Sequence, residues 1–368
     1  MAEFYQTEHS VVQLAISAYL GVTAVLQLII GPLSDRYGRR PVILGGMATF
    51  LLATIGCLLA PTVEIFLVFR MLQAVIAVGM VLSRAIVRDM VPPDRAASMI
   101  GYVTMGMSLV PMLGPIIGGY LDNTFGWQAS FAMVLVLGVL VMILTWFDLG
   151  ETNQHQSASF RSQFRSYPEL IGSRRFWGYS ATAAFSAGTF FAFLGGASFI
   201  SSQVLGLNSA QLGMFFAIVS VGYMLGNFIS GRFSQRFGIN RMMLYGTCAG
   251  AVGTVIIVLL FSANLYHPLS LFGPMSIVGL GNGMTLPNAN AGMVSVRPQL
   301  AGSASGLGGT ITIGGGAAIS ALTGALLSPQ NPVMPLIIPM VIVSMMAILT
   351  ALYVMHVARS TGELAAAE

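Results

Sequence analysis

The sequence has no lysine: all sixteen basic residues are arginine, and charged residues of both signs make up only 8% of its 368 positions. Soluble domains carry about 25% charged residues, so this composition cannot build a water-facing surface. A chain that is 55% hydrophobic, with a mean hydropathy of +0.82, needs lipid as its solvent. Cysteine is nearly missing too. Cys57 and Cys248 both fall inside apolar runs, which excludes a disulfide framework and leaves them as packing residues. A pI of 9.3 could suggest nucleic acid, but no basic run or basic face exists for phosphate to bind. Nor is there a clustered nucleophile, a metal-ligand spacing or a phosphate-cradling loop, which removes the common catalytic and cofactor classes.

What the chain does have is long apolar runs. About 20 apolar residues cross about 30 Å of hydrocarbon, and eleven runs qualify: about 10–30, 41–60, 63–83, 97–120, 127–147, 176–199, 210–230, 242–262, 269–292, 301–327 and 333–357. One connection is long and polar. It divides the chain into an N-terminal bundle (1–148), a linker (149–175), a C-terminal bundle (176–358) and a tail (359–368). Arginine placement sets the orientation, because positive residues stay cytoplasmic. Alternate connections and the tail hold Arg36, Arg39, Arg40, Arg84, Arg88, Arg95, Arg161, Arg165, Arg174, Arg175, Arg232, Arg236, Arg241, Arg297 and Arg359; the other set holds none. The linker and the carboxyl terminus are therefore expected inside, and only Arg70 lies within a span.

The decisive pattern is a repeat. Gly31-Pro-Leu-Ser-Asp-Arg-Tyr-Gly-Arg-Arg40, read as a tight basic turn between two spans, has an echo at Gly231-Arg-Phe-Ser-Gln-Arg-Phe-Gly-Ile-Asn-Arg241, where Gly31, Ser34, Arg36 and Gly38 recur as Gly231, Ser234, Arg236 and Gly238. The chain is an internal duplication. The first copy, Gly-x-Leu-x-Asp-Arg-x-Gly-Arg-Arg, resembles the signature loop of the major facilitator superfamily. That resemblance implies an all-α membrane protein of two pseudo-symmetric helical bundles, with twelve spans and both ends inside. Met1 to Ser10 resemble the outer loop after the family's first helix, so the first helix is expected to be missing, by a misplaced start or a truncation; the alternative is a natural eleven-helix protein.

Three further motifs carry the resemblance. At the loop, Gly31, Asp35, Arg36, Gly38, Arg39 and Arg40 imply a gate in which Asp35 meets the positive end of the helix beginning near Ala301; three arginines anchoring a turn is the plainer alternative. In the second copy Gln235 stands for the acid, and Ile239 and Asn240 for two arginines, so a charged latch belongs to the first copy. A guanidinium in mid-bilayer costs at least about 2.5 kcal/mol and needs a polar cavity or a partner. Arg70 and Gln73 resemble the family's fourth-helix Arg-x-x-Gln motif, implicated in substrate or proton coupling; a structural ion pair or snorkelling to the interface are the alternatives. Gly101, Gly114, Pro115, Gly118 and Gly119 resemble the fifth-helix antiporter motif, and their spacing also fits a kinked, close-packed seam.

In the second half, Asn282, Asn288 and Asn290, with Pro287 to interrupt the span, are candidates to line a cavity. Gly302, Gly306, Gly308, Gly309 and Gly314 to Gly316 give a smooth helix. Phe185, Phe190, Phe191 and Phe193 are either an aromatic wall or core. All twelve acids lie in loops, at span ends or in the termini, so none is available to carry a proton at mid-membrane; in the drug-exporting branch that acid sits in the first helix. His9, His155, His267 and His356 stand away from span centres.

With Arg84-Ala-Ile-Val-Arg-Asp89, the motifs resemble the bicyclomycin- and chloramphenicol-resistance branch. The implied function is proton-coupled export of small amphipathic compounds across a bacterial inner membrane, by a monomer without cofactor. A metabolite exporter of the same fold, or a chain without coupled transport, would share these motifs.

Overall fold

The computed structural model describes residues 5, 9–107, 110, 117–118, 120–121, 124–153, 168–207, 209–297, 300–326 and 333–360. Every regular element among them is helical. In chain order these are α1 (His9–Tyr37), α2 (Arg39–Leu59), α3 (Val63–Leu72), a 3-10 turn (Gln73–Ile76), α4 (Ala77–Met90), α5 (Pro93–Met107), α6 (Trp127–Asp148), α7 (Arg174–Gln203), α8 (Ser209–Phe237), α9 (Ile239–Ser262), α10 (Pro268–Ser295), α11 (Ala301–Leu326) and α12 (Met334–Ser360).

Among the described residues, eight stretches are long and apolar enough to cross a membrane, with Val63–Met90 counting as one. The other three of the eleven expected positions carry α1, α5 and α10, which that hydropathy criterion does not pick out. The reason is plain for α10: its 28 residues include three asparagines and three prolines, yet it is buried along most of its length. The opposite case is α6. It is apolar from Phe131 to Leu144, and none of its residues is buried; only lipid satisfies such a surface.

Two readings of the sequence change. The tight turn read across Gly31–Arg40 is confined to a single residue, because α1 runs on to Tyr37 and α2 begins at Arg39. Gly38 alone makes the reversal, at a φ of +98° that glycine accepts without steric cost. Its echo Gly238 does the same between α8 and α9 at +78°, so the duplication holds in the backbone as well as in the letters. Pro287 does not interrupt its span either: α10 is continuous through both Pro274 and Pro287.

The chain forms two compact units. One comprises residues 1–90, 114–168 and 297–310. Ile30, Val42, Val78, Val81 and Leu82 form its core, and a second cluster packs Phe66, Trp127 and Phe131 edge to face, with ring centroids 5.6–5.7 Å apart.

The other unit comprises residues 91–113, 169–296 and 311–368. Here α10 is the central element, packed by α5, α7, α8 and α9. Gly279, Gly281 and Gly283 make this possible: a Cβ on Gly281 would lie 2.6 Å from the Gly250 nitrogen, and one on Gly283 would lie 2.6 Å from the Asn227 nitrogen. Backbones that approach this closely exclude any side chain. The phenylalanines of α7 join this packing, with Phe193 fully buried against Phe216 and Phe272.

Candidate functional site

The signature residues converge on one buried polar cluster inside the first unit. Asp35, on the last turn of α1, is 1% exposed and Arg39, on the first turn of α2, is 2% exposed, so their charges must be met by protein. They pair with each other. The Asp35 carboxylate also accepts the Gly302 N–H at 3.1 Å, the Ser303 N–H at 2.9 Å and the Ser303 hydroxyl at 2.8 Å. Those N–H groups belong to the first turn of α11, where a helix has no internal acceptors to offer and carries partial positive charge. The acid thus satisfies both needs at once.

Arg39 continues the network: its Nε donates to Asp89 Oδ2 at 3.0 Å, and it also donates to Ser34 Oγ at 2.7 Å. Ser34 in turn donates to the Gly31 carbonyl at 2.8 Å.

Only glycines allow the helices to come this close. A Cβ on Gly31 would lie 2.8 Å from the Gly302 carbonyl carbon and 2.9 Å from Ser303 Cα, and one on Gly306 would strike the Gln27 backbone. The second unit repeats the crossing with α5 against α8. A Cβ on Gly101 would lie 2.8 Å from the Gly231 nitrogen, while Ser98 donates its hydroxyl to the Gly231 carbonyl. The acid has no counterpart in that copy, where Gln235 stands exposed.

Sequence reasoning missed the residues that hold the loop from outside. Glu151 accepts the Arg39 N–H at 2.8 Å and the Arg40 N–H at 3.3 Å, capping α2. Asn153 donates to the Asp35 carbonyl at 3.0 Å, and Thr152 to Asp89 at 3.4 Å. A lone acid just past a span was the available signal. Arg40 donates to the Trp146 carbonyl at 2.9 Å, and Arg36 lies over the Tyr37 ring at 5.0 Å.

Arg70 lies on α3, in the same unit. Its Nη1 donates to Gln73 Oε1 at 2.8 Å, and Gln73 Nε2 donates to the buried Thr54 hydroxyl at 2.7 Å. The guanidinium stands 4.2 Å from the Tyr19 ring centroid and 5.9 Å from that of Phe131. The chain tightens to 3-10 geometry directly after, at Gln73–Ile76. Arg39, by contrast, makes two ion pairs, to Asp35 and to Asp89.

The other predicted residues separate. Gly101 sits in the α5–α8 crossing and a Cβ on Gly118 would lie 4.0 Å from Ser130 Oγ, an ordinary contact, while Gly114, Pro115 and Gly119 lie outside the described residues. Asn282 accepts the Ser186 hydroxyl at 2.6 Å, and Asn288 donates to Ser230 Oγ at 2.9 Å and to the Met284 carbonyl at 2.7 Å. Both amides are buried.

The model described as Major Facilitator Superfamily matches residues 1–321. The chain belongs to the major facilitator superfamily. Among curated relatives, the facilitator is 30% identical over 328 residues to multidrug resistance protein D of Escherichia coli, with 88% of this chain and 82% of that protein covered. It is 29% identical to a chloramphenicol resistance protein of Pseudomonas aeruginosa, covering 90% and 79%. It is 28% identical to a bicyclomycin resistance protein homolog of Haemophilus influenzae, covering 87% and 80%. The fold matches that of the proton:xylose symporter XylE at a TM-score of 0.74 and 14% identity, over 94% of this chain and 85% of that one. The facilitator is a multi-pass membrane transport protein and not an enzyme.

Proposed function

We propose that this facilitator exports small amphipathic compounds across a bacterial inner membrane, driven by inward proton flow. In this reading the bundles 1–148 and 176–358 rock about a midplane site and expose it to one side at a time, with the carboxyl terminus cytoplasmic and the monomer as the working unit. Arg70, held by Gln73, faces the cargo, with Asn282 and Asn288 assigned to the same site on the second half. Gly31, Asp35, Arg36, Gly38, Arg39 and Arg40 form the cytoplasmic gate. Gly101, Gly114, Pro115, Gly118 and Gly119 form the seam along which the second crossing closes.

The observation that carries the reading is the Asp35 carboxylate, bound at once to Arg39 and to the first turn of α11. A buried charge held by three groups of another helix and by one arginine is a contact that breaks as a unit, which suits a two-state gate. The names of the relatives supply the cargo class.

The test is chloramphenicol accumulation in bacteria that lack their own efflux pumps and express the full reading frame, measured before and after a proton uncoupler. Lower accumulation is expected, restored to the level of empty cells by the uncoupler and by Arg70→Ala. Equal accumulation in all arms removes export.

A further inference from the structure

We infer that Tyr19 is the positioning residue for Arg70: its ring face holds the guanidinium in place while leaving N–H donors for cargo. The ring centroid stands 4.2 Å from the guanidinium carbon, well inside the range over which an aromatic quadrupole attracts a cation. A carboxylate would neutralise the charge and occupy two of the five N–H groups a guanidinium carries. A ring face does neither. One donor, on Nη1, is spent on Gln73 Oε1 at 2.8 Å, and Gln73 is itself fixed by Thr54 at 2.7 Å. Among the described residues Arg70 has no ion-pair partner, and the Phe131 ring centroid lies 5.9 Å from the guanidinium carbon. Among those residues the cation is thus held by ring faces and one amide, and the donors they leave suit a cargo that brings a hydrogen-bond acceptor, such as a carbonyl or carboxylate on an apolar body.

This rests on the reading of Arg70 as the residue that faces cargo. The test therefore avoids transport, so that a failed export assay and a failed cradle are told apart. The purified facilitator in lipid nanodiscs is labelled with phenylglyoxal, and the rate at Arg70 is read from its own peptide by mass spectrometry. Tyr19→Leu is expected to label Arg70 about five-fold faster than the wild type, the scale of a partly desolvated cation–π contact, and Tyr19→Phe is expected to restore the slow rate. Phenylalanines with one, two and three ring fluorines at position 19 keep the shape and drain the ring of charge, so the rate should rise with each fluorine. A rate that stays flat across the fluorinated series would show that Tyr19 only fills space, and would overturn the inference even if Tyr19→Leu fails to fold.

Discussion

Replacing Asp35 by asparagine tests the latch with the least change of shape. The side chain keeps one oxygen and turns the other into an NH2 donor. In the native protein both oxygens are used: Oδ1 faces the Gly302 N–H and Arg39, and Oδ2 faces the Ser303 N–H and hydroxyl. Whichever way the amide turns, a donor meets a donor. Hydrogen bonds to a charged group are worth about 1.5–3 kcal/mol each, and an acid at a partly buried helix N-terminus contributes up to about 2 kcal/mol. Arg39 keeps Asp89 at 3.0 Å, which limits the loss, so the latch should weaken by about 2–3 kcal/mol, between about thirty- and one hundred and fifty-fold in the closed-to-open ratio. Amide hydrogen exchange of Gly302 and Ser303, followed by mass spectrometry in nanodiscs, reads that ratio directly. Asp35→Asn should accelerate exchange there by that factor and leave the amides of α9 unchanged. If the two amides stay as protected as before, the carboxylate does not hold α11.

Gly101→Leu should destabilise the α5–α8 crossing by about 1–3 kcal/mol, the usual cost of overpacking, and lower the thermal midpoint in detergent; an unchanged midpoint would mean that the Gly231 backbone gives way freely. Gln27 is fully buried, and neither atom of its amide has a partner among the described residues. An unmet buried amide costs about 1–3 kcal/mol, so the near-isosteric Gln27→Met should raise the midpoint, and a fall would reveal a partner for the amide. Thr54→Val leaves Gln73 Nε2 without its acceptor and should cost about 1–2 kcal/mol, while Thr54→Ser should cost little; equal midpoints for the two would remove the hydroxyl from the account of Arg70.

Much of the architecture could be read in the letters, and particular residues show why. Hydropathy is a property of each run by itself, so helices such as α2 and α9 fall within three residues of the expected spans at both ends. The reading failed where neighbours outweigh composition. Pro287 costs a lone helix a hydrogen bond, yet α10 stays continuous because packing on almost every side holds it. A turn within Gly31–Arg40 was legible, but its confinement to Gly38 and the length of α1 beyond the apolar run were not, because the last residues of α1 are polar and are held by partners far along the chain.

The same division separates the two kinds of knowledge available about this protein. The sequence by itself determined that it lives in lipid, that it is a duplication, and that Arg70 is a charge inside an apolar run, while the resemblance of its signature stretch already aimed Asp35 at the helix beginning near Ala301. Only the tertiary structure decided which groups make the contacts: Arg39 and the Gly302 and Ser303 N–H groups for Asp35, a tyrosine face for Arg70, and the carboxylate of Glu151 closing over the turn. The physical reason is range. Transfer into lipid is summed residue by residue along the chain, whereas a buried charge is stabilised mainly by the few groups within about 6 Å, and chain order does not say which helices come that close.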